Sequence, residues 1–214
     1  MSSNLSMKHL LALFLMAPLC AQTLEQLEAH GVSVSNTVYQ GKSAVRVDAL
    51  PGAANGGSYA ILKGSRFHNG TIEVELAGKP AANAIAGARG FVGIAFRMRE
   101  NRYEYIYLRP TNGRADDQVR RNHSVQYGAS PDFDYDRLRK EAPEKYESYV
   151  DLEPGVWTRY RIAIDGAKAR LFVHDAAQPC LIVDDLKLGD SEGAVALWVG
   201  PGTEGYFANL KITR

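Results

Sequence analysis

Glu73 and Glu75 stand two residues apart in a run where Ile72, Val74 and Leu76 alternate with Thr71, Glu73 and Glu75. Period two puts both carboxylates on one face of a strand, about 7 Å apart. Retaining cleavage of a glycosidic bond uses two carboxyls about 5–5.5 Å apart, so the pair is a candidate for acid–base work. Solvated carboxylates on the polar face of a strand are the plainer reading of the same two residues.

A second constellation spans two neighbouring runs. If Val92, Ile94 and Phe96 face a core, then Gly93, Ala95 and Arg97 face outward. On the next run Glu104, Ile106 and Leu108 would face inward, and Tyr105, Tyr107 and Arg109 outward beside Arg97. Aromatic faces stack on the apolar C–H groups of sugar rings, and arginine offers a planar fork of donors to hydroxyls or carboxylates. The opposite phase buries the tyrosines and exposes Glu104, which then becomes a candidate acid or base. Trp198 and Ala196, alternating with Val195, Leu197 and Val199, can join the outward face; core packing is the other fate open to Trp198. Trp157 opens a strand after a turn and reads as structural. His123 and Gln126, with Ser124 and Tyr127, form a polar strand-like piece. His123 has the intrinsic pKa for proton transfer near neutrality, but a lone histidine is also an ordinary surface residue.

These residues must be positioned by strands. Short alternating runs recur along the chain with turn residues between them: 32–39, 45–48, 71–76, 91–98, 103–109, 157–165, 169–174, 180–183, 194–199 and 206–213. The polar turn 99–102 makes a hairpin of two of them, and Gly166 makes another. The pattern predicts a two-sheet sandwich. Pro110 to Gly155 interrupts it with a long, charged, tyrosine-rich insertion, in which Asp134 to Glu141 predicts one short helix stopped before Pro143. A sandwich does not need this segment to close its core, so it reads either as a functional wall or as padding at a sheet edge.

Composition narrows the function classes. A chain of 214 residues, 45% hydrophobic, suits one domain. A net charge of +1 argues against a nucleic-acid surface or a polybasic membrane patch. Lys8 and His9 precede the apolar run 10–17, closed by Pro18 and followed by the small residue Ala21. Residues 1–21 therefore read as a signal peptide, too short to span a bilayer, with 22–30 a linker or short helix and 31–214 the sandwich. Export to the periplasm or medium is expected. Lipid anchoring through Cys20 is disfavoured by the bulky Leu19, and Cys180 would be left without a disulfide partner. His30, His68 and His174 lack metal-ligand spacing, and Asp116-Asp117 and Asp184-Asp185 match no calcium loop, so no cofactor or metal is expected. Phosphate loop, nucleophile elbow and CxxC pair are all missing from the sequence.

Three stretches resemble a known family. Gly90-Phe91-Val92-Gly93-Ile94-Ala95-Phe96-Arg97 is similar to a Gly-Ile-Phe-Phe-Arg strand, and Gly155-Val156-Trp157 to a Gly-Glu-Trp turn. Gly193 to Gly202, followed by Tyr206 to Ile212, is similar to a closing strand pair. These are landmarks of the bacterial 3-keto-disaccharide hydrolase domain family. The resemblance implies a concanavalin A-like jelly-roll sandwich, related to laminin G-like domains, acting on glycosides. It implies Glu75 or Glu104 as acid or base, with Arg97 orienting a hydroxyl or an oxyanion. This sequence departs from it at Leu197-Trp198-Val199-Gly200, where the family has Leu-Gln-x-His-Gly, and at Ile106, where it has Gln. In the same fold, laminarinase-type glycosidases carry a third acidic residue at the position of Ala77.

The combined expectation is an exported carbohydrate-binding domain. Its ligand would lie against Arg97, Tyr105, Tyr107, Arg109, His123, Gln126 and Trp198, walled by 110–155. The alternative is a glycoside hydrolase or lyase using Glu75 or Glu104.

Overall fold

The computed structural model describes residues 24–52 and 58–214. The expected signal peptide and Cys20 lie outside the described residues. In chain order the strands are β1 (Leu27–His30), β2 (Val32–Tyr39), β3 (Lys42–Ala49), β4 (Tyr59–Leu62), β5 (Gly70–Pro80), β6 (Val92–Arg99) and β7 (Arg102–Leu108). They continue as β8 (Val125–Ser130), β9 (Glu147–Ser148), β10 (Thr158–Asp165), β11 (Lys168–Val173), β12 (Leu181–Val183), β13 (Ala194–Val199) and β14 (Thr203–Thr213). Two short helices, α1 (Gln118–Asn122) and α2 (Tyr135–Glu141), lie in the insertion.

The strands form two seven-stranded antiparallel sheets. One runs β1-β4-β13-β6-β7-β8-β9 and the other β12-β11-β10-β5-β14-β3-β2. Their facing sides carry the residues that alternation assigns to the core: Ile72, Val74 and Leu76 from β5, Val92, Ile94 and Phe96 from β6, and Ile162 and Ile164 from β10. Each such side chain contributes roughly 1.5–3 kcal/mol through burial. Tyr160 crosses the core to donate from Oη to the Ile106 carbonyl at 2.7 Å. Trp157 donates from Nε1 to the Tyr39 carbonyl at 3.2 Å, a structural bond between β2 and the start of β10.

The structure differs from expectation at residues 27–30 and in the insertion. Residues 27–30 are not linker but edge strand β1, paired with β4 from Leu27↔Leu62 to His30↔Tyr59. The insertion is not padding either. Its β8 pairs with β7 along the full strand, and Val125, Tyr127, Leu138, Tyr146 and Leu152 enter the main core. Two helices replace the single one expected, each started by an aspartate: Asp117 accepts from Arg120 N at 3.0 Å, and Asp134 from Arg137 N at 2.9 Å.

Arg97 is the main departure within the sheets. Pairing Phe96↔Glu104 is followed by Arg99↔Arg102, so β6 carries one extra residue there. Arg97 takes the left-handed φ of +54°, and Met98 assumes the outward place expected for it. The Arg97 side chain turns to the end of the sandwich and is 2% exposed. It donates to the carbonyls of His68 (2.9 Å), Gly189 (2.9 Å) and Gly166 (2.8 Å) and to Asn69 Oδ1 (3.0 Å). It thus ties β6 of one sheet to the β10–β11 turn of the other. Arg97→Met would strand these acceptors and should lower unfolding stability by about 3 kcal/mol or more in urea titration, with Arg97→Lys recovering part of the loss.

Candidate functional site

The hairpin β6–β7 adopts the phase with tyrosines outward. On the outer face of the first sheet, Tyr103, Tyr105, Tyr107 and Trp198 cluster with Ala95, Ala196 and Met98. Tyr105 lies 5.1 Å from Trp198, Tyr107 4.8 Å from Trp198, and the two tyrosines 5.7 Å from each other, ring centre to ring centre. Small residues let the rings lie down: a Cβ on Gly128 would come within 2.6 Å of Tyr105 Cζ.

Tyr105, Tyr107 and Trp198 form the floor of a cleft of about 670 Å³. Ile85, Arg89 and Phe91 wall one side, and the insertion supplies the other through Val119, Arg120, His123, Ser130, Tyr135 and Arg139. Three lining side chains present apolar surface to solvent: Ile85 (72% exposed), Val119 (65%) and Tyr135 (43%).

A buried polar cluster joins floor to wall. Arg109, at the end of β7, donates to Tyr107 Oη at 2.9 Å, Gln126 Oε1 at 3.2 Å and the His123 carbonyl at 3.1 Å. Its guanidinium lies over the rings of both Tyr107 (5.0 Å) and Tyr135 (5.5 Å). Glu147, its side chain 3% exposed, sits 3.4 Å from Arg109 Nη1 and 3.2 Å from His123 Nε2, and accepts from Arg139 Nε at 3.0 Å. Burial lowers the His123 pKa, with the charges of Arg139 and Arg109 acting in the same direction against Glu147, so the ring is neutral at pH 7. Gln126 is fully buried behind Arg109, where its amide donates to the Tyr127 and Tyr146 carbonyls. It braces the cluster and does not line the cleft.

Neither Glu75 nor Glu104 lines this cleft, nor does Arg97. Glu75 lies on the outer face of the second sheet, bonded to Lys42 Nζ and to Asn209 Nδ2 at the β14 bulge. Burial would raise its pKa, but those two bonds and the lysine charge prevail and hold it below the usual carboxylate range. The shallow hollow beside it also holds Glu73, Arg159 and Asn209. Glu104 points inward, where its carboxylate accepts from Tyr127 Oη and from Leu188 N (2.7 Å). Two aspartates do line the cleft, Asp117 and Asp134, the helix-capping residues. Asp185 accepts from Lys145, Tyr146 and Lys187.

Solved structures share this architecture. The carbohydrate-binding module CBM66 of Bacillus subtilis superposes with a TM-score of 0.61 at 12% identity, covering 88% of this chain and 96% of that one. The fold is concanavalin A-like. A galectin-like-fold protein of unknown function from Bacillus subtilis gives 0.53 at 9% identity over 88% and 89% of the two chains. A candidate glycosyl hydrolase from Parabacteroides distasonis gives 0.53 at 11% identity over 89% and 94%. No protein-family model and no curated protein sequence matches the chain. At these identities the likeness of the concanavalin A-like sandwiches is one of fold.

Sequence reasoning missed Arg89, Arg120, Tyr135, Arg139 and Glu147. Only Tyr135 and Arg139 carried a local signal, since they sit four apart on the helix foreseen at 134–141 and so share a face. Glu104 supplies a test of the interior assignment. Burial raises its pKa from 4.5 to about 7, against the hydrogen bonds from Tyr127 and Leu188. The folded protein therefore takes up a proton between those values, and the stability this confers is complete below about pH 4.5 and lost as pH rises to 7. Unfolding free energy should fall by about 3 kcal/mol across that window from this group, a slope that Glu104→Gln removes in urea titrations at pH 4.5 and 7.5.

Proposed function

We propose that this protein is an exported carbohydrate-binding domain whose ligand occupies the cleft over Tyr105, Tyr107 and Trp198. The observation that carries the reading is the cleft itself. Contiguous aromatic rings floor it, apolar lips stand open to solvent, and planar donors converge from Arg89, Arg109 and Arg120. Sugar rings need this combination: flat apolar faces for their C–H groups and directed donors for their hydroxyls. A volume near 670 Å³ falls within the roughly 300–1,000 Å³ of small-ligand sites. The carbohydrate-binding module among the fold's relatives supports the same class of ligand. Export rests on the leader-like residues 1–21.

Binding without hydrolysis is the reading the geometry favours. The two glutamates named as acid or base stand apart from the cleft, one on the far sheet and one in the core. The lining aspartates are engaged in capping their helices. A hydrolytic role on 3-keto disaccharides or other glycosides would show as product release that Glu75→Gln or Glu104→Gln abolishes.

The decisive residue for a binding test is Tyr135, because its ring is exposed and its removal leaves the core untouched. On a glycan array followed by titration calorimetry, Tyr135→Ala should weaken the best ligand about tenfold, while loss of its contacts with Arg109 and Arg139 lowers unfolding stability by only about 1 kcal/mol. Unchanged affinity for every glycan bound would remove the cleft as the site. Trp198→Ala should abolish binding, though it also opens the aromatic floor.

A further inference from the structure

The cleft is charged as well as aromatic. Four arginines line it: Arg89, Arg109, Arg120 and Arg139. Arg109 and Arg139 are matched by the buried Glu147. Arg89 and Arg120 are not matched: among the described residues their guanidiniums hydrogen-bond only to uncharged oxygens. Arg89 Nη1 donates to the carbonyls of Ala86 (2.8 Å) and Ala88 (3.1 Å) within its own loop. Arg120 donates to Asn112 Oδ1 (2.9 Å) and to the carbonyl and hydroxyl of Thr111 (3.1 and 3.2 Å). These contacts hold the two guanidiniums in place and leave Nη2 of Arg89 and Nη1 of Arg120 without a hydrogen-bond partner among the described residues.

Their environment asks for a counter-charge. Burial and the nearby charges of Arg120 and Arg109 lower the pKa of Arg89, which marks the three as one cationic group around half-buried space. Asp117 and Asp134 line the same cleft, but among the described residues neither forms an ion pair with Arg89 or Arg120, and each gives an oxygen to its own helix. The exposed Ile85 and Val119 stand in the same walls as Arg89 and Arg120, so apolar surface adjoins the charge. A hydrophobic ring carrying an oxyanion meets both demands, and the guanidinium fork suits it geometrically.

We propose that the cleft selects glycans bearing an anionic substituent, a sugar carboxylate or a sulfate ester, and that Arg89 and Arg120 receive it. The proposal rests on the carbohydrate reading above and specifies its ligand class. An adjoining neutral sugar would lie over Tyr107 and Trp198.

The test titrates the protein with three matched sets of oligosaccharides, neutral, uronate-containing and sulfated, at low and at elevated sodium chloride. At least one anionic set should bind about tenfold more tightly than the neutral set, and salt should erode that preference. Arg89→Gln should cut the anionic-to-neutral affinity ratio about tenfold, since it loses a charged hydrogen bond. The Arg89 side chain hydrogen-bonds only within its own loop, and the Thr111 N–H bond to the Arg89 carbonyl survives the substitution, so this variant should keep the parent's unfolding temperature. Arg120→Gln gives the second reading, with thermal unfolding to check that Asn112 and Thr111 remain braced. Preference for the uronates assigns a carboxylate, and preference for the sulfated set assigns a sulfate. Equal affinity for neutral and anionic sets, unmoved by either substitution, overturns the anionic assignment and leaves carbohydrate binding standing. Failure of all three sets to bind overturns both.

Discussion

A single buried carboxylate, Glu147, holds the cleft together. Placing a carboxylate in the interior costs several kcal/mol unless donors surround it. Arg109, Arg139 and His123 surround it, and they come from the end of β7, from α2 and from the residue after α1. Satisfying one charge therefore fixes three pieces of the insertion, β9, α2 and the residue after α1, against the end of β7. Arg109 carries the constraint onward to Tyr107 and Gln126, and through its guanidinium face to Tyr135. The wall and the aromatic floor are parts of one electrostatic assembly.

The same hairpin serves two unrelated tasks because period two separates its faces. Inward, β7 presents Glu104, Ile106 and Leu108 to the core, and Glu104 fastens the segment before β13 through Leu188. Outward, it presents Tyr103, Tyr105 and Tyr107. A hydrogen-bonded carboxyl group on one face can fasten the core while the other face is left free for a ligand. The bulge in β6 extends this division. One extra residue removes Arg97 from the outer face and delivers it to the carbonyls at the end of the sandwich, where Met98 would have made no bonds. Arg97 is therefore absent from the cleft, whose lining arginines are Arg89, Arg109, Arg120 and Arg139.

Arg89 and Arg120, both partly buried, differ from the fully buried charges in what completes them. Arg97, Arg109 and Glu147 each have an opposite charge within the protein, Arg97 through Asp190 Oδ1 at 3.5 Å and the other two through each other. Arg89 and Arg120 are held by neutral oxygens that fix their direction without cancelling their charge. Positioning without neutralisation separates a cation prepared for a ligand from one built into the scaffold.

The sequence by itself left two phases open for Tyr105 and Tyr107, of which the structure takes the outward one with Trp198 beside them. It determined most of the strands and the two-sheet class. These follow from covalent geometry, since successive side chains on a strand must alternate and a run of apolar residues at period two must face a core. Asp134 as a helix start was legible for the same local reason. Tertiary structure decided the rest. The place of Arg97 depends on one inserted residue and on acceptors as far as 92 positions away. Glu75 is fixed by Lys42 and Asn209, 33 and 134 positions away, and Glu147 meets Arg109 across 38. The insertion's share of the core was invisible because its apolar residues follow no single period. Charge pairing and burial depend on which distant segments fold together, and no local spacing records that.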